Sequence, residues 1–144
     1  MTNKCTILNV LLCDDVRRED NGKDIAIGIY NETMVAETLP ILVPTFCIRI
    51  MVRTYTTDNL DVSGSISDPD KKDVVQFTGV LKTENTAFLQ AFAFRISPIV
   101  FSKSGIYKIN IGIGQEQSSV SELNVITRQE MQAAISHASP IGSS

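Results

Sequence analysis

The feature that most constrains this chain is a charged turn between two apolar runs near the N-terminus. The turn contains Asn21-Gly22, and the apolar runs are residues 4–14 and 24–31. An Asn-Gly pair between apolar runs is the strongest short-range signal for a β-hairpin, because both residues tolerate a positive φ. The chain therefore opens with two antiparallel strands, both expected near a sheet centre, and an all-β fold follows.

Further segments alternate apolar and polar residues with the two-residue period of a half-buried strand. The clearest are residues 46–53, 60–67 and 106–113, where one face of each is apolar. Residues 73–81 and 86–96 also favour strands, and residues 118–126 favour an edge strand. The total is about eight strands, and the regular spacing of turns between them is typical of a sandwich or a barrel. We expect an antiparallel β-sandwich.

The connections and the C-terminus follow other patterns. Two prolines in residues 32–44 predict an extended crossover between sheets, and Pro98 predicts a break or an edge. Thr127 and Glu130 fit a capping box, which predicts a helix from about residue 128 to 138. We therefore divide the chain into a β-sandwich domain, residues 1–126, and a C-terminal helix with a flexible tail, residues 127–144.

Composition narrows the classes of function. The net charge is −3, and no more than two of the 13 basic residues are adjacent, which argues against nucleic-acid binding. The longest apolar stretches are far shorter than the roughly 20 residues of a membrane span. The N-terminal segment fits a first strand better than an export signal, and the three cysteines fit reduced thiols, so we expect a cytoplasmic protein.

Catalytic patterns are weak. His137 is the only histidine and falls in the predicted helix, away from any other motif. The cysteines lack the spacing of a redox or zinc site. The glycines around Ile113 lie between two strands and do not form a nucleotide-binding loop. We therefore expect no enzyme activity, no cofactor and no metal site.

Charged residues of two strands are the candidate binding residues. Asp14, Asp15 and Arg17 of the hairpin would either brace it as an internal ion pair or recognise a partner. Arg49 and Arg53 share one face of the 45–54 strand with a methionine, and they could contact an acidic partner or form an ordinary solvent face.

Two further features leave alternatives open. Acidic residues also cluster around Asp68 and Asp70, so two acidic loops could hold Ca²⁺, although aspartate is common in solvated turns. Met131, Ala134 and Ile135 recur at helical spacing and form an apolar stripe. That stripe would pack on its own sandwich or serve as a contact between subunits.

Short motifs in a fixed order resemble a known family. They are Leu12-Cys13-Asp14, Gly22-Lys23, Ile27-Gly28-Ile29-Tyr30 and residues 104–109, which contain Gly105 and Tyr107. This order resembles a widespread family of small bacterial proteins known only as a domain of unknown function, over about residues 5–126. The resemblance implies an immunoglobulin-like or related β-sandwich and no particular activity. The chain departs from the usual pattern in residues 127–144.

These observations lead to a functional hypothesis with two alternatives. We expect a homo-oligomeric, non-enzymatic binding or interaction module, from a bacterium or a phage, that binds a protein partner or associates with itself. A protein that senses or sequesters a small ligand is the first alternative. A calcium-dependent membrane-binding sandwich is the second, although the sequence otherwise favours neither a membrane nor a nucleic-acid partner.

Overall fold

The computed structural model describes residues 4–83, 88–115 and 117–137, and it is built almost entirely of strands. A single α-helix follows the last strand in the described chain. In chain order the elements are β1 (Cys5–Arg18), β2 (Asp24–Ile29), β3 (Thr33–Ala36), β4 (Ile41–Val43), β5 (Phe46–Thr54), β6 (Leu60–Ser67), β7 (Asp73–Leu81), β8 (Phe88–Ile96), β9 (Ile99–Phe101), β10 (Gly105–Ile113), β11 (Gln117–Thr127) and α1 (Arg128–His137).

Two main sheets form the sandwich. The first has the strand order β2-β1-β5-β8, the second has the order β3-β11-β10-β6-β7, and β4 and β9 form a separate small pair. Alternate residues of β5 and β10, such as Ile48 and Ile109, are fully buried in one core. Removal of this apolar surface from water is the main stabilising contribution to the fold. The predicted all-β sandwich with a short C-terminal helix is confirmed.

The structure contains three short strands that the sequence pattern did not predict. β3, β4 and β9 span only three or four residues each, which is too short to show a two-residue period. β3 and β4 lie in the segment predicted as a plain crossover. β3 also pairs with β11 in parallel, whereas the other strand pairs of the two main sheets are antiparallel in the described residues.

One prediction about strand position was wrong, and another was right only in part. β2 was expected near a sheet centre, but it is an edge strand with β1 as its neighbour. Its exposed isoleucines resemble core residues in the sequence. Residues 118–126 were expected at an edge: among the described strands, residues 118–123 pair with β10 alone, whereas the end of β11, from Asn124, also pairs with β3. The predicted break at Pro98 is present between β8 and β9.

The predicted N-terminal hairpin is confirmed, and its outer part folds over the first sheet. The Glu19 N–H donates to the Lys23 carbonyl at 2.7 Å and closes the turn. Beyond the point where β5 begins, Arg95 of β8 donates to the Val16 carbonyl at 3.1 Å, and Arg18 donates to the Ala91 carbonyl at 3.2 Å. The outer part of the hairpin, residues 15–27, therefore lies across β5 and β8; we name it the arm.

The C-terminal helix begins with the predicted capping box. The Thr127 N–H donates to Glu130 Oε1 at 3.0 Å, and the Glu130 N–H donates to Thr127 Oγ1 at 3.1 Å. Arg128 forms an ion pair with Glu37 at 2.6 Å, which ties the start of α1 to the residue after β3. The predicted tail after the helix lies outside the described residues.

The part of the chain that the structure describes contains no helix long and apolar enough to cross a bilayer.

Candidate binding groove

The motif residues Asp14, Gly28 and Tyr30 form one local cluster where β1 and β2 pair. The Tyr30 hydroxyl donates to Asp14 Oδ1 at 2.5 Å. Gly28 has a φ of 68°, and an added Cβ there would lie 2.7 Å from the Asp14 Cγ, so the carboxylate occupies the space that a side chain would need. Burial, and then the bond to Asp14, raise the pKa of the Tyr30 hydroxyl well above its ordinary value. The motif is therefore a structural joint that fixes the base of the arm.

Asp15 links the arm to the opposite edge of the first sheet. Its Oδ1 accepts from Arg95 at 2.7 Å, and its Oδ2 accepts from Arg17 at 3.1 Å. Hydrogen bonds from Arg95 and Arg17 hold the pKa of Asp15 below its ordinary value. The expected internal ion pair between Asp15 and Arg17 is present, with Arg95 as an additional partner that spans the sheet.

Asp24 forms a second link, from the arm to the centre of the sheet. It accepts from Arg49 at 3.0 Å and from Arg18 at 3.1 Å, and its side chain is only 10% exposed. Burial alone would raise the pKa of Asp24, but hydrogen bonds from the two arginines outweigh that effect and the pKa lies below its ordinary value. Asp24 is therefore a carboxylate held ionised between two guanidinium groups.

These contacts border an open groove of about 730 Å³ between the arm and the sheet. We name it the basic groove, since four of its lining residues are cationic and one is acidic. Its floor includes apolar side chains of β5 and β8. The lining consists of Arg18, Gly22, Lys23, Asp24, Arg49, Met51, Lys82, Leu89, Gln90 and Ala91.

The structure brings some of the predicted binding residues together and separates others. Arg49 lines the basic groove, and Arg53 lies exposed four residues further along β5, opposite Leu89 of the groove. Asp14, Asp15 and Arg17 border a different depression at the base of the arm. The alternation of β5 was a sufficient signal for Arg49 and Arg53. It was not sufficient for Arg18 and Asp24, because charged residues beside a turn are ordinarily solvated.

The second acidic loop is organised by its own backbone. Asp68 accepts from the N–H groups of Asp70 and Lys72 at 2.8 and 2.9 Å, and Lys103 forms ion pairs with both Asp68 and Asp70. The hydrogen bond from Lys72 contributes most to lowering the pKa of Asp68. Within the described residues, no group of three His, Cys, Asp or Glu is placed to hold a metal ion. The loop geometry follows from turn formation, which aspartate favours without a cation.

The sandwich covers little of the apolar stripe of α1. Met131 is half-buried, whereas Ala134 is exposed and Ile135 is 63% exposed.

The three cysteines are free thiols and all are buried, and burial raises the pKa of Cys13. A buried thiol with a raised pKa is a poor nucleophile.

Comparison with known proteins places the chain within a family and a fold. The model of DUF6941, a family of unknown function, matches residues 8–126, which confirms the resemblance seen in the sequence. No curated protein matches the sequence.

Among solved structures, the C-terminal domain of Wzt is 13% identical, with a TM-score of 0.50, and the match covers 85% of this chain and 68% of that one. A β-glucosidase from Listeria innocua is 8% identical in two complexes. With isofagomine the TM-score is 0.44 and coverage is 85% of this chain; with gluconolactone the values are 0.43 and 81%. This chain matches only 16% of the β-glucosidase. At these identities the Wzt domain shows a shared fold.

Proposed function

Because the chain belongs to DUF6941, a family of unknown function, we propose its function from its own residues: it is a non-enzymatic interaction module. Its basic groove takes an acidic segment of a partner protein. The observation that carries this proposal is the convergence of Arg18, Lys23, Arg49 and Lys82 on one groove with Asp24 as the acidic lining residue.

The chemistry of the groove supports a carboxylate ligand. A guanidinium carries five N–H donors in a planar fork, so an arginine that gives its Nε–H to Asp24 can still donate to a second carboxylate. Asp24 itself shows that a carboxylate fits between Arg18 and Arg49 at hydrogen-bond distance. An acidic side chain from a partner would therefore meet donors that the arm already holds in place.

The apolar floor favours a peptide over a bare anion. Met51 and Leu89 line the groove beside the cationic residues, and a thioether accommodates apolar side chains of varied shape. A peptide that combines acidic residues with an apolar one would use both surfaces. The overall net charge of −3 does not favour a polyanion such as nucleic acid.

The state of the titratable groups supports binding over catalysis. A general acid at neutral pH needs a raised pKa, whereas the pKa of Asp24 is lowered. We further propose that the protein acts in the cytoplasm, since its three cysteines are buried free thiols. Self-association through the exposed Ala134 and Ile135 of α1 is a second part of the proposal, with Met131 at its inner border.

Binding of a defined acidic peptide to the full chain tests the proposal. The probe is a labelled ten-residue peptide of glutamate and aspartate with one central phenylalanine, and the measurement is fluorescence anisotropy. We expect saturable binding that weakens between 50 and 300 mM NaCl. Added salt shortens the screening length, which is about 10 Å at 0.1 M, and so weakens the attraction between exposed charges. The double variant Lys23→Glu/Lys82→Glu should weaken binding by about tenfold or more, since like charges oppose the ligand.

A matched charge control keeps this test specific. Lys71→Glu/Lys72→Glu makes the same change of charge at two exposed residues of the β6–β7 turn, in the other sheet. This control should bind within about twofold of the unmodified chain, since its charges lie outside the groove. Equal losses in both double variants, or the absence of binding by the unmodified chain, would exclude the groove as an acidic-peptide site.

A further inference from the structure

Two strands on one side of the sandwich are only partly paired. β3 pairs with residues 124–127 of β11, and β2 pairs with residues 13–18 of β1. Among the described strands, residues 117–123 of β11 are therefore paired on the β10 side alone, and residues 6–11 of β1 on the β5 side alone. Each sheet thus presents a free strand edge.

The backbone of these edges is oriented toward a missing neighbour. The Asn124 N–H donates to the Glu32 carbonyl at 2.7 Å, so its peptide groups point away from β10. Because orientation repeats every two residues in a strand, the N–H and C=O groups of Glu122 and Val120 point to the same side. These groups continue the line on which β3 pairs with β11.

The β1 edge binds a side-chain amide carbonyl from the first residue of β11. The Ile7 N–H donates to the side-chain Oε1 of Gln117 at 3.3 Å, on the side away from β5. A glutamine amide carbonyl has the same acceptor chemistry as a peptide carbonyl. This N–H at the β1 edge thus already bonds to the type of group that an added strand would offer.

A groove of about 570 Å³ lies between the two edges. Its apolar lining includes Val10, Ile106 and Val120, and Val120 is 60% exposed. Glu32 and Glu122 line it as well, and Lys108 faces Glu122 from the neighbouring strand β10. The acidic character is therefore strongest near Glu32, at the end of the groove close to β3. We name this the edge groove.

We infer that the edge groove receives an extended segment of a partner protein, which adds a strand to β11 in line with β3. On its outer face, where side chains recur every two residues, the segment carries apolar ones, which contact Val120 and Ile106, in turn with cationic ones, which pair with Glu32 and Glu122. Addition of a strand gains affinity from main-chain hydrogen bonds and specificity from alternate side chains. This surface and its ligand are distinct from the basic groove, which takes an acidic segment.

The test uses a peptide of stated chemistry and two valines of nearly equal exposure. The probe is a labelled nine-residue peptide with threonine at every second position and, at the positions between, valine in turn with lysine; it is titrated into the full chain. Val120→Lys should weaken binding by about tenfold or more, because it places a cation against a cationic peptide. Val80→Lys is the control, since Val80 is 57% exposed on β7, the opposite edge strand of the same sheet. It should change binding by less than about twofold.

Hydrogen exchange locates the bound peptide and separates the outcomes. Residues 117–123 should gain amide protection on binding, while the arm should not. Protection confined to the arm, or equal weakening by Val120→Lys and Val80→Lys, would overturn the inference. So would a concentration-dependent dimer that Val120→Lys dissociates, because it would assign the edge to a second copy of the chain. Thermal unfolding of both variants confirms that each remains folded.

Discussion

The chain uses the pattern Gly-x-Tyr twice, and the two copies stabilise different parts of the sandwich. In both, the glycine has a positive φ, 68° at Gly28 and 132° at Gly105, and another side chain fills the space of its missing Cβ. At Gly28 the neighbour is the flexible carboxylate of Asp14. At Gly105 it is the rigid ring of Pro69, whose Cγ would lie 2.7 Å from an added Cβ.

The hydroxyl groups of the two tyrosines also have different partners. Tyr107 is fully buried, and its hydroxyl donates to the Lys103 carbonyl at 2.9 Å and accepts from the Lys103 N–H at 3.3 Å. The Tyr30 hydroxyl instead donates to Asp14, a residue exposed to solvent. The Gly105–Tyr107 copy thus closes on the backbone, whereas the Gly28–Tyr30 copy closes on a charge at the surface.

A row of aromatic rings connects the two copies through the core. Tyr30 contacts Phe46 at 5.6 Å between ring centroids, Phe46 contacts Phe101 at 5.8 Å, and Phe101 contacts Tyr107 at 5.0 Å. The Phe46–Phe101 and Phe101–Tyr107 pairs are edge-to-face, a geometry that adds to the stabilisation from burial of the rings. The same short motif is therefore a rigid internal lock at one end of this row, Gly105–Tyr107, and a joint at the base of the arm at the other end, Gly28–Tyr30, where it closes on a flexible carboxylate.

Alanine substitution of the two glycines gives the largest expected effect. Gly105→Ala should lower the free energy of unfolding by about 3 kcal/mol, because a φ of 132° is closed to L-residues and the proline ring cannot move aside. Gly28→Ala should cost about 1–2 kcal/mol, since the Asp14 side chain can rotate away. Urea unfolding at pH 7 measures both values.

A third glycine isolates the backbone contribution. Gly114 has a φ of 59°, and an added Cβ would meet nothing within 4 Å. Gly114→Ala should therefore show the cost of a positive φ alone, about 1 kcal/mol, and should be the mildest of the three. If Gly28→Ala proved as damaging as Gly105→Ala, the contrast between a flexible joint and a rigid lock would be wrong.

Removal of each tyrosine hydroxyl tests the same contrast with a smaller effect. Tyr107→Phe leaves the partly buried N–H and C=O of Lys103 without the tyrosine hydroxyl, and we expect a loss of about 2 kcal/mol in the free energy of unfolding. Tyr30→Phe should cost about 1 kcal/mol or less, because water can solvate the released Asp14 carboxylate. Thermal or urea unfolding reports both.

Tyr55 is the matched control for the hydroxyl. It is 42% exposed, and its hydroxyl accepts only a long bond of 3.4 Å from Thr6 in the described contacts. Tyr55→Phe should leave stability unchanged within about 0.5 kcal/mol. A loss at Tyr30 larger than that at Tyr107 would reverse the assignment of lock and joint.

Much of the fold could be predicted from the sequence because its signals are local. The Asn21-Gly22 turn, the alternation along β5 and the Thr127 capping box each act within a few residues, and each is present as predicted. The sequence did not predict β4 and β9, because tertiary packing sets the pairing of these three-residue segments. It did not predict the edge position of β2, because strand order depends on contacts between distant parts of the chain.

The candidate site was predictable only in part, for a related reason. Alternation shows that Arg49 faces outward, but the arm that covers it depends on how far β1 extends beyond the start of β5. Arg18 and Asp24 become groove residues only after the arm folds over the sheet. Likewise Asp14 and Gly28 are both in the motifs, yet their contact follows from the register of β1 and β2, in which Cys13 faces Ile29.

The smallest expected effect is the pH dependence of stability that two carboxylates confer. One lies in the arm and one lies beside Pro69, and different groups hold them. Asp24 in the arm is held by arginines, whereas Asp68 beside Pro69 is held mainly by backbone N–H groups. Asp24→Asn should lower stability at pH 7 by about 1 kcal/mol, because the largely buried Arg49 loses its counter-charge. Asp68→Asn should be milder, since an asparagine oxygen still accepts the same N–H groups.

The sign of the pH effect follows from the lowered pKa values. A carboxyl group with a lower pKa in the folded state stabilises the protein above its unfolded pKa of about 3.9 and loses that contribution as pH falls through the folded value. The difference between the unmodified chain and Asp24→Asn should therefore be full at pH 7 and should shrink below about pH 4. Glu37→Gln is the control, because Glu37 forms an exposed ion pair on the opposite sheet, and it should show little difference at either pH. An Asp24→Asn difference that persists unchanged at pH 2.5 would mean that packing of the arm, and not the charge between its arginines, holds the groove in shape.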